Sequence, residues 1–447
     1  MTQRTNRRQF ITNAGLGAAG FWIAGRQVGY GQEKSPNAQV SIACIGTGGQ
    51  GGSDMGNVAK LGNIVALCDI DDERNDKAGM TYPKAKKYFD YRRMFDEMAK
   101  EIDCVTVGVP DNHHACASVM AMKLGKGVYT QKPMTHDIYE ARVMRETAAK
   151  YKVATQMGNQ GTAGNNLRES VEIIQAGLIG DVKEVHIWTN RPVWPQSPNV
   201  TARPKDVHDV PPNIHWDEWL GPAPVRPFHK KAYLHFVWRG WWDFGTGALG
   251  DMACHTANLP YLALKLGAPL TVEAESEALN PETYPGWAKV NYEFGARGDM
   301  PPVKVTWYEG RKDGELVQPP QDLLKGEKMS NSASLLVGSK GTLYSPDDYG
   351  GKSIWLPKDD FKEMKKPAPT LPRSPGHHKE WIEAVKGGPK AMSNFDHAGP
   401  FTEFVLLGNL AMKLGKKFEW DSVNLKAKNC PEADPWIKRE YRKGWSL

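Results

Sequence analysis

The chain is poor in cysteine, in net charge and in long apolar runs, and each shortage excludes a class of protein. Six cysteines stand in 447 residues (Cys44, Cys68, Cys104, Cys116, Cys254 and Cys430), with no CxxC pair. A disulfide framework or a zinc site needs paired spacings, so these read as buried small hydrophobes. Lys and Arg number 57 against 51 Asp and Glu. Residues 1–38 hold Arg4, Arg7, Arg8, Arg26 and Lys34 against Glu33 alone, so the rest has 52 basic and 50 acidic residues. That balance gives no electrostatic ground for binding nucleic acid. The apolar run Ala14–Ala24 is only eleven residues long. As a helix it rises roughly 16 Å, about half a bilayer core, so no stable membrane span is expected there. A hydrophobic share of 40% excludes a disordered chain, and the length suggests two or three domains.

The leader has a more specific pattern. Asn6-Arg7-Arg8-Gln9-Phe10-Ile11 sets paired arginines before an aromatic and then the apolar run. It is similar to a twin-arginine signal, an address read by the Tat export machinery and separate from the fold. Export to the periplasm or beyond is the expectation, and no clean A-x-A cleavage site follows. Cysteines left unpaired suit a chain folded in a reducing cytoplasm and exported whole.

From Val40 to Met157 short apolar runs alternate with helical stretches. Strands are expected at 40–45, 64–68, 104–109, 128–130 and 153–157, and helices at 91–100, 112–124 and 138–151. This rhythm predicts a parallel, doubly wound sheet. Past Gly158 it changes. A helix at 166–176, a strand at 182–190 and a Pro- and Trp-rich stretch at 191–242 precede strands at 288–294, 303–308, 334–337 and 341–344. Helices are expected again at 378–385 and 401–414. The fold class is therefore α/β: an N-terminal Rossmann sheet, plus a C-terminal α+β domain with a large, mostly antiparallel open sheet. The expected divisions are a leader at 1–38, a dinucleotide-binding domain at 39–158 and a substrate and oligomerisation domain at 159–447.

Gly46-Thr47-Gly48-Gly49-Gln50-Gly51 follows the first strand directly as G-x-G-x-x-G and opens a helix. Such glycines let the backbone approach a pyrophosphate, while the helix N-terminus offers free N–H groups. Asp69 closes the second strand, where a carboxylate accepts from the adenosine ribose and repels a 2′-phosphate, so NAD is expected over NADP. Arg74 stands nearby as the residue that would favour NADP. Two further loops end strands, Val109-Pro110-Asp111-Asn112-His113-His114 and Gln131-Lys132-Pro133. Lys132 reads by itself as a solvated lysine or as a functional group beside the nicotinamide, and the Lys132–Pro133 bond as a place for a cis peptide.

These pieces together resemble the Gfo/Idh/MocA family. Gln131-Lys132-Pro133 stands where the family usually has Glu-Lys-Pro, and Gly245-Thr-Gly247 through Asp251 to His255 resembles its glycine-rich stretch with aspartate and histidine four apart. The resemblance implies that Lys132 hydrogen-bonds the reacting oxygen, that His255 is the acid/base and that Asp251 orients it. It also implies cofactor contacts from Gly46, Thr47, Gly48, Gln50, Gly51, Asp69, Pro110, Asn112, His114, Gln131 and Lys132. Substrate contacts are expected from Asn159, Arg191, Trp238, Arg239 and His255. Without the family, Asp251 and His255 are an i, i+4 pair on one helix face, or a metal half-site lacking an obvious third ligand. No metal is expected. Gln131, and Asn258 where many members continue with aspartate, depart from the pattern.

Seven of fifteen tryptophans (Trp188, Trp194, Trp216, Trp219, Trp238, Trp241 and Trp242) lie between residues 188 and 242. They suit either sugar rings or core packing. The expected function is NAD-dependent oxidation of a carbohydrate or polyol hydroxyl, with a tightly bound, internally recycled cofactor because free dinucleotide is scarce outside the cytoplasm. The alternative is a redox-neutral, NAD-dependent glycosidase working by oxidation, elimination and reduction. A non-catalytic sugar-binding relative would tolerate loss of Lys132, Asp251 and His255, and all three are present. A homo-oligomer, dimer or tetramer, is expected.

Overall fold

The computed structural model describes residues 39–447; the leader assigned to 1–38 lies outside the described residues. Six short strands form the first sheet: β1 (Val40–Ile45), β2 (Gly62–Cys68), β3 (Lys86–Tyr88), β4 (Cys104–Val107), β5 (Gly127–Thr130) and β6 (Thr155–Met157). All pair in parallel, in the order β3-β2-β1-β4-β5-β6. The order reverses between β1 and β4, so the loops leaving these two strands diverge and open a crevice at their C-terminal ends.

Alternation along β1 shows why the sheet needs helices on both faces. Val40, Ile42 and Cys44 join Met55 and Val58 of α1 (Gly49–Val58) and Ala78 of α2 (Asp72–Thr81). Ala43 and Ile45 join the cluster formed with α3 (Tyr91–Met98), α4 (Asp111–Lys123) and α5 (Ile138–Tyr151). β3 and α2 escaped the sequence reading for a physical reason. β3 is an edge strand whose Lys86 and Lys87 are exposed, so charge hides its strand character.

The second sheet has ten strands: β14 (Ile354–Leu356), β13 (Thr342–Ser345), β12 (Ala333–Gly338), β7 (Val182–Thr189), β10 (Val303–Lys312), β9 (Trp287–Phe294), β8 (Thr271–Ser276), β15 (Phe418–Asp421) and β16 (Lys426–Lys428) in that order, with β11 (Glu315–Leu316) on β10. Its centre is β7, β10 and β9. Only β7 and β10 pair in parallel; every other pairing is antiparallel. Along β9, Ala288, Val290, Tyr292 and Phe294 are buried, in one cluster with Leu249 and Phe404, while Trp287, Lys289, Asn291 and Glu293 are half-buried on the other face. Leu249 lies on α8 (Gly247–Thr256) and Phe404 on α11 (Phe395–Leu414). The sequence alone suggests a helix only over 401–414. The helix instead begins at Phe395, preceded by Asn394, whose side chain accepts from Asp396 N, and it carries Pro400 inside it. From the far end of the chain, α10 (His377–Val385) returns to the first sheet and buries Trp381 fully against the β1 face. Among the described residues all six cysteines are buried and none forms a disulfide, and no helix is long and apolar enough to cross a membrane.

The stretch 191–242 is irregular, with α7 (Trp216–Leu220) and one 3-10 turn at Val237–Gly240. Its aromatics form a small core of their own: Trp219, Tyr233, Trp241 and Phe244 pack together, and Trp216 stacks on Trp219 at 4.7 Å and 8°. Trp188 packs separately, against Tyr344 under the second sheet. Most of the tryptophans offered as sugar platforms therefore serve packing.

One buried acid gives the fold a pH signature. Glu309 on β10 is fully buried, accepting a 2.7 Å bond from Trp307 Nε1. Burial pushes its carboxyl up to about 8, against the pull of the Trp307 bond. As pH rises past the ordinary carboxyl range, the unfolded chain releases a proton that the folded chain keeps, so stability falls until about pH 8. Glu309→Gln should raise the thermal midpoint at pH 8 by several degrees and change it much less at pH 5. Melting curves at the two pH values check this.

Candidate active site

A crevice of about 430 Å³ runs between the C-terminal ends of the first sheet and the second lobe. The glycine loop forms one end. Gly46 holds φ +88°, and a Cβ on Gly51 would strike the Gly46 carbonyl and come within 2.8 Å of Gly108 O. Only glycine at 51 lets α1 dock this closely on β1 and β4. α1 starts at Gly48 with no side-chain cap and no acidic residue in its first turn. Its N-terminal N–H groups therefore keep their affinity for an anion. The cradle fits a dinucleotide pyrophosphate.

Asp69 lines the crevice beside this loop. Its Oδ2 accepts from Thr47 N at 2.8 Å and Thr47 Oγ1 at 3.1 Å, and its Oδ1 from Asp71 N at 3.1 Å. These bonds brace the carboxylate at the edge of the cleft. Arg74 also lines it, lying over Gly48 and pairing with Asp71 at 3.4 Å.

Lys132 leaves the end of β5 and crosses to the second lobe, its peptide to Pro133 being cis. Its Nζ donates to Asp251 Oδ1 and to the Asp251 backbone oxygen, both at 2.7 Å. Arg239 Nε reaches the same Oδ1 at 3.2 Å. Burial by itself would raise the Asp251 carboxyl; the charges of Lys132 and Arg239 outweigh it and hold it at about 2. His255, one helical turn along α8, is pushed down to about 3, first by burial and then by the Lys132 charge, against the pull of Asp251. It is a neutral imidazole at neutral pH. Its Nδ1 is buried with no hydrogen-bond partner, and its ring meets Tyr349 at 4.8 Å. The family pattern gave Asp251 the task of orienting His255. Here the carboxylate is turned to Lys132 and Arg239, so Asp251 positions the lysine.

The structure brings Gly46, Gly48, Gln50, Asp69, Pro110, Gln131, Lys132, Arg191, Trp238, Arg239, Asp251 and His255 onto one crevice. It sets other expected contacts into buried hydrogen bonds instead. Asn112 donates to Leu220 O and ties the loop after β4 to the irregular segment, while His114 bridges Pro133 O and Val109 O and ties the two strand-end loops together. Asn159 bonds Cys254 O and Ser393, just before His255. Thr47 acts through Asp69, and Gly51 through packing. Arg191 bonds Asn190, while Arg239 lies over the Trp238 ring at 4.3 Å.

Several lining groups escaped the sequence reading. Asp111 accepts from Thr246 Oγ1 at 2.7 Å, and burial lifts its carboxyl to about 6; its place in the VPDNHH loop was the available signal. Tyr349, His235 and Trp445 carry no local motif. Gln131 is explained by a neighbour. Its Nε2 donates to Asp54 Oδ2 at 2.6 Å, and Asp54 also accepts from His378 Nε2 at 2.9 Å and Gln50 Nε2 at 3.3 Å. A glutamate at 131 would press a second carboxylate against Asp54. Elsewhere Asp206, His208 and His229 gather on the surface. Backbone N–H groups of Lys230 and Lys231 donate to the Nδ1 atoms of His208 and His229, whose Nε2 atoms lie 3.3 and 3.4 Å from Asp206 Oδ2. They form a hydrogen-bonded clamp.

Residues 40–159 match the model of the Gfo/Idh/MocA oxidoreductase family's NAD-binding Rossmann fold, and residues 164–300 that of the family's C-terminal alpha/beta domain. A glycosyl hydrolase family 109 protein of Solibacter usitatus is 30% identical over 198 residues, 40% of this chain and 44% of that one. Inositol 2-dehydrogenase 3 of Saccharopolyspora erythraea is 24% identical over 211 residues, 44% of this chain and 60% of that one. The chain thus matches about half the length of these curated relatives. The WlbA dehydrogenase of Bordetella pertussis, solved with NADH and UDP-GlcNAcA, superposes with a TM-score of 0.59 at 14% identity, over 86% of this chain and 99% of that one. That likeness is one of fold.

The cradle can be tested directly. Gly51→Ala should weaken NADH binding at least about tenfold, because the added carbon drives α1 away from β1. Fluorescence titration with NADH, beside a melting curve to confirm folding, measures it.

Proposed function

The chain belongs to the Gfo/Idh/MocA oxidoreductase family, and from that premise we propose that it oxidises a carbohydrate or polyol hydroxyl with NAD held in the crevice. One observation carries the reading. The glycine cradle and the Lys132–Asp251–His255 group face a single cavity at the switch point of the first sheet.

Bound NAD supplies a hydride acceptor there. The Lys132 ammonium, held by Asp251, donates to the hydroxyl oxygen and stabilises the negative charge that grows on it. The neutral imidazole of His255 takes the hydroxyl proton on a ring nitrogen, while the carbon gives up its hydride and becomes a carbonyl. Arg191, Arg239 and the Trp238 ring supply donors and a flat face suited to a sugar. NAD is preferred over NADP because Asp69 and Asp71 face the ribose end and Asp71 neutralises Arg74.

The twin-arginine leader supports export to the periplasm with the cofactor already bound, and a scarce cofactor outside the cytoplasm favours recycling within each cycle. A homo-oligomer fits the half-buried outer face of β9. The second reading, redox-neutral glycoside cleavage, is favoured by the likeness to a glycosyl hydrolase family 109 protein. There, oxidation of one ring carbon acidifies its neighbour, elimination breaks the glycosidic bond, and reduction restores the sugar with no second substrate.

Denatured protein should release nicotinamide dinucleotide, seen by absorbance; none released would overturn the tight-cofactor reading. Lys132→Ala and His255→Ala should each lower kcat by about 10²–10⁴-fold with cofactor content retained. Because His255 is neutral down to about pH 3, kcat/KM should stay level through pH 6.5 and fall only below about pH 5; an acid limb near 6.5 would contradict its role. Turnover of p-nitrophenyl glycosides without an added acceptor would select the glycosidase reading.

A further inference from the structure

The adenosine end of the crevice is closed by chain from outside the first sheet. Residues 213–215 run along the turn after β2 as a short antiparallel bridge. Asp72 N donates to Asn213 O and His215 N to Ile70 O, both at 2.9 Å. Asn213 Nδ2 donates to Asp71 Oδ1 at 2.8 Å. The His215 ring stacks on Phe89 at 3.8 Å and 5°, and its Nε2 lies 3.1 Å from Asp72 Oδ1. This turn is the one that presents Asp69. The same irregular segment then sends Trp219 and His235 to the lining of the crevice.

The end of the chain makes a second wall. Trp445 lines the crevice, with the Arg92 guanidinium 4.2 Å over its ring and Tyr91 and His113 edge-on at 6.0 and 5.4 Å. The tail is fastened to both lobes. Arg439 donates to Glu140 Oε1 at 2.9 Å and to Asn112 O at 2.8 Å, and Arg442 Nε donates to Gly221 O at 2.9 Å. Arg442 thereby joins the tail to the segment that holds His215.

We propose that residues 213–236 and the tail 439–447 form a clasp that completes the adenosine site, so that the dinucleotide leaves only when the clasp opens. This rests on the reading that NAD is retained through turnover, and it names the residues that retain it. The chemistry matches adenosine: Trp445, Tyr91 and Val109 offer apolar faces to a purine, and the braced Asp69 carboxylate offers acceptors to ribose hydroxyls. His215 and Trp445 act on release and have no part in the proton or hydride steps.

The test follows NADH leaving the full-length protein. Protein loaded with NADH is mixed with lactate dehydrogenase and pyruvate, which consume every free NADH, and the fall in fluorescence gives the release rate. His215→Ala and Trp445→Ala should each speed release about fivefold or more, and the double variant more than either. Trp445→Phe should restore slow release, since it keeps a ring. Asn213→Ala, which loses one hydrogen bond, serves where a larger change unfolds the protein. Wild-type release complete within the mixing time, or folded variants within twofold of wild type, would overturn the clasp. No sugar enters the assay, so the two readings fail separately. Fast release with sugar turnover intact overturns the clasp alone, and slow release with no turnover on any sugar overturns the proposed function alone.

Discussion

The carboxylate of Asp251 and the ammonium of Lys132 meet inside the crevice, one from each lobe. Bringing two charges out of water is expensive, by several kcal/mol per ion, unless the geometry is good and the remaining donors are satisfied. Lys132 meets this condition with two acceptors on Asp251, and Arg239 brings a second cation to the same oxygen. The pair therefore fixes how α8 stands against the end of β5. It also aims the lysine into the crevice. Burial is the main force keeping His255 neutral; the lysine's charge adds to it and Asp251 opposes it, so the ion pair governs lobe placement and lysine geometry.

A second buried carboxylate governs the first lobe's side of the crevice. Asp54 sits on α1, within the helix that the glycine cradle opens, and gathers Gln131, His378 and Gln50 around itself. His378 comes from α10, close to the far end of the chain. The departure from the family's glutamate at 131 thus follows from electrostatics. With the negative charge placed on α1, the β5 loop carries an amide that donates to Asp54 and accepts from Lys132 N. Cradle and lysine loop share one network.

The tryptophan-rich segment illustrates how composition can mislead. Large aromatics near arginines suit a sugar site, yet Trp216, Trp219 and Trp241 are needed to give an irregular stretch a core of its own. Lacking long helices or strands, the segment has few backbone ladders to hold its shape, and ring packing does that instead. Trp238 keeps a face toward the crevice because it sits on the 3-10 turn that also carries Arg239.

Much was legible in the chain. The alternation of apolar runs with helices, G-x-G-x-x-G after the first strand and Asp69 at the end of the second depend on local periodicity and spacing, which a linear reading captures. The edge strand at Lys86–Tyr88 and the start of α11 before Pro400 were not legible, because tertiary pairing and capping overrode local preference. Lys132, Asp251 and His255 were identified by family pattern. Their electrostatic relation was not, since it depends on which carboxylate oxygen faces which nitrogen across 119 residues. The same holds for Asn112, His114 and Asn159, whose buried partners lie on distant elements. The sequence by itself determined the doubly wound lobe and the cradle, because backbone periodicity and glycine spacing are local properties. Only the tertiary structure decided that Asp251 serves the lysine, that Asp54 specifies Gln131, and that Trp445 walls the crevice, because each depends on side chains brought together from opposite ends of the chain.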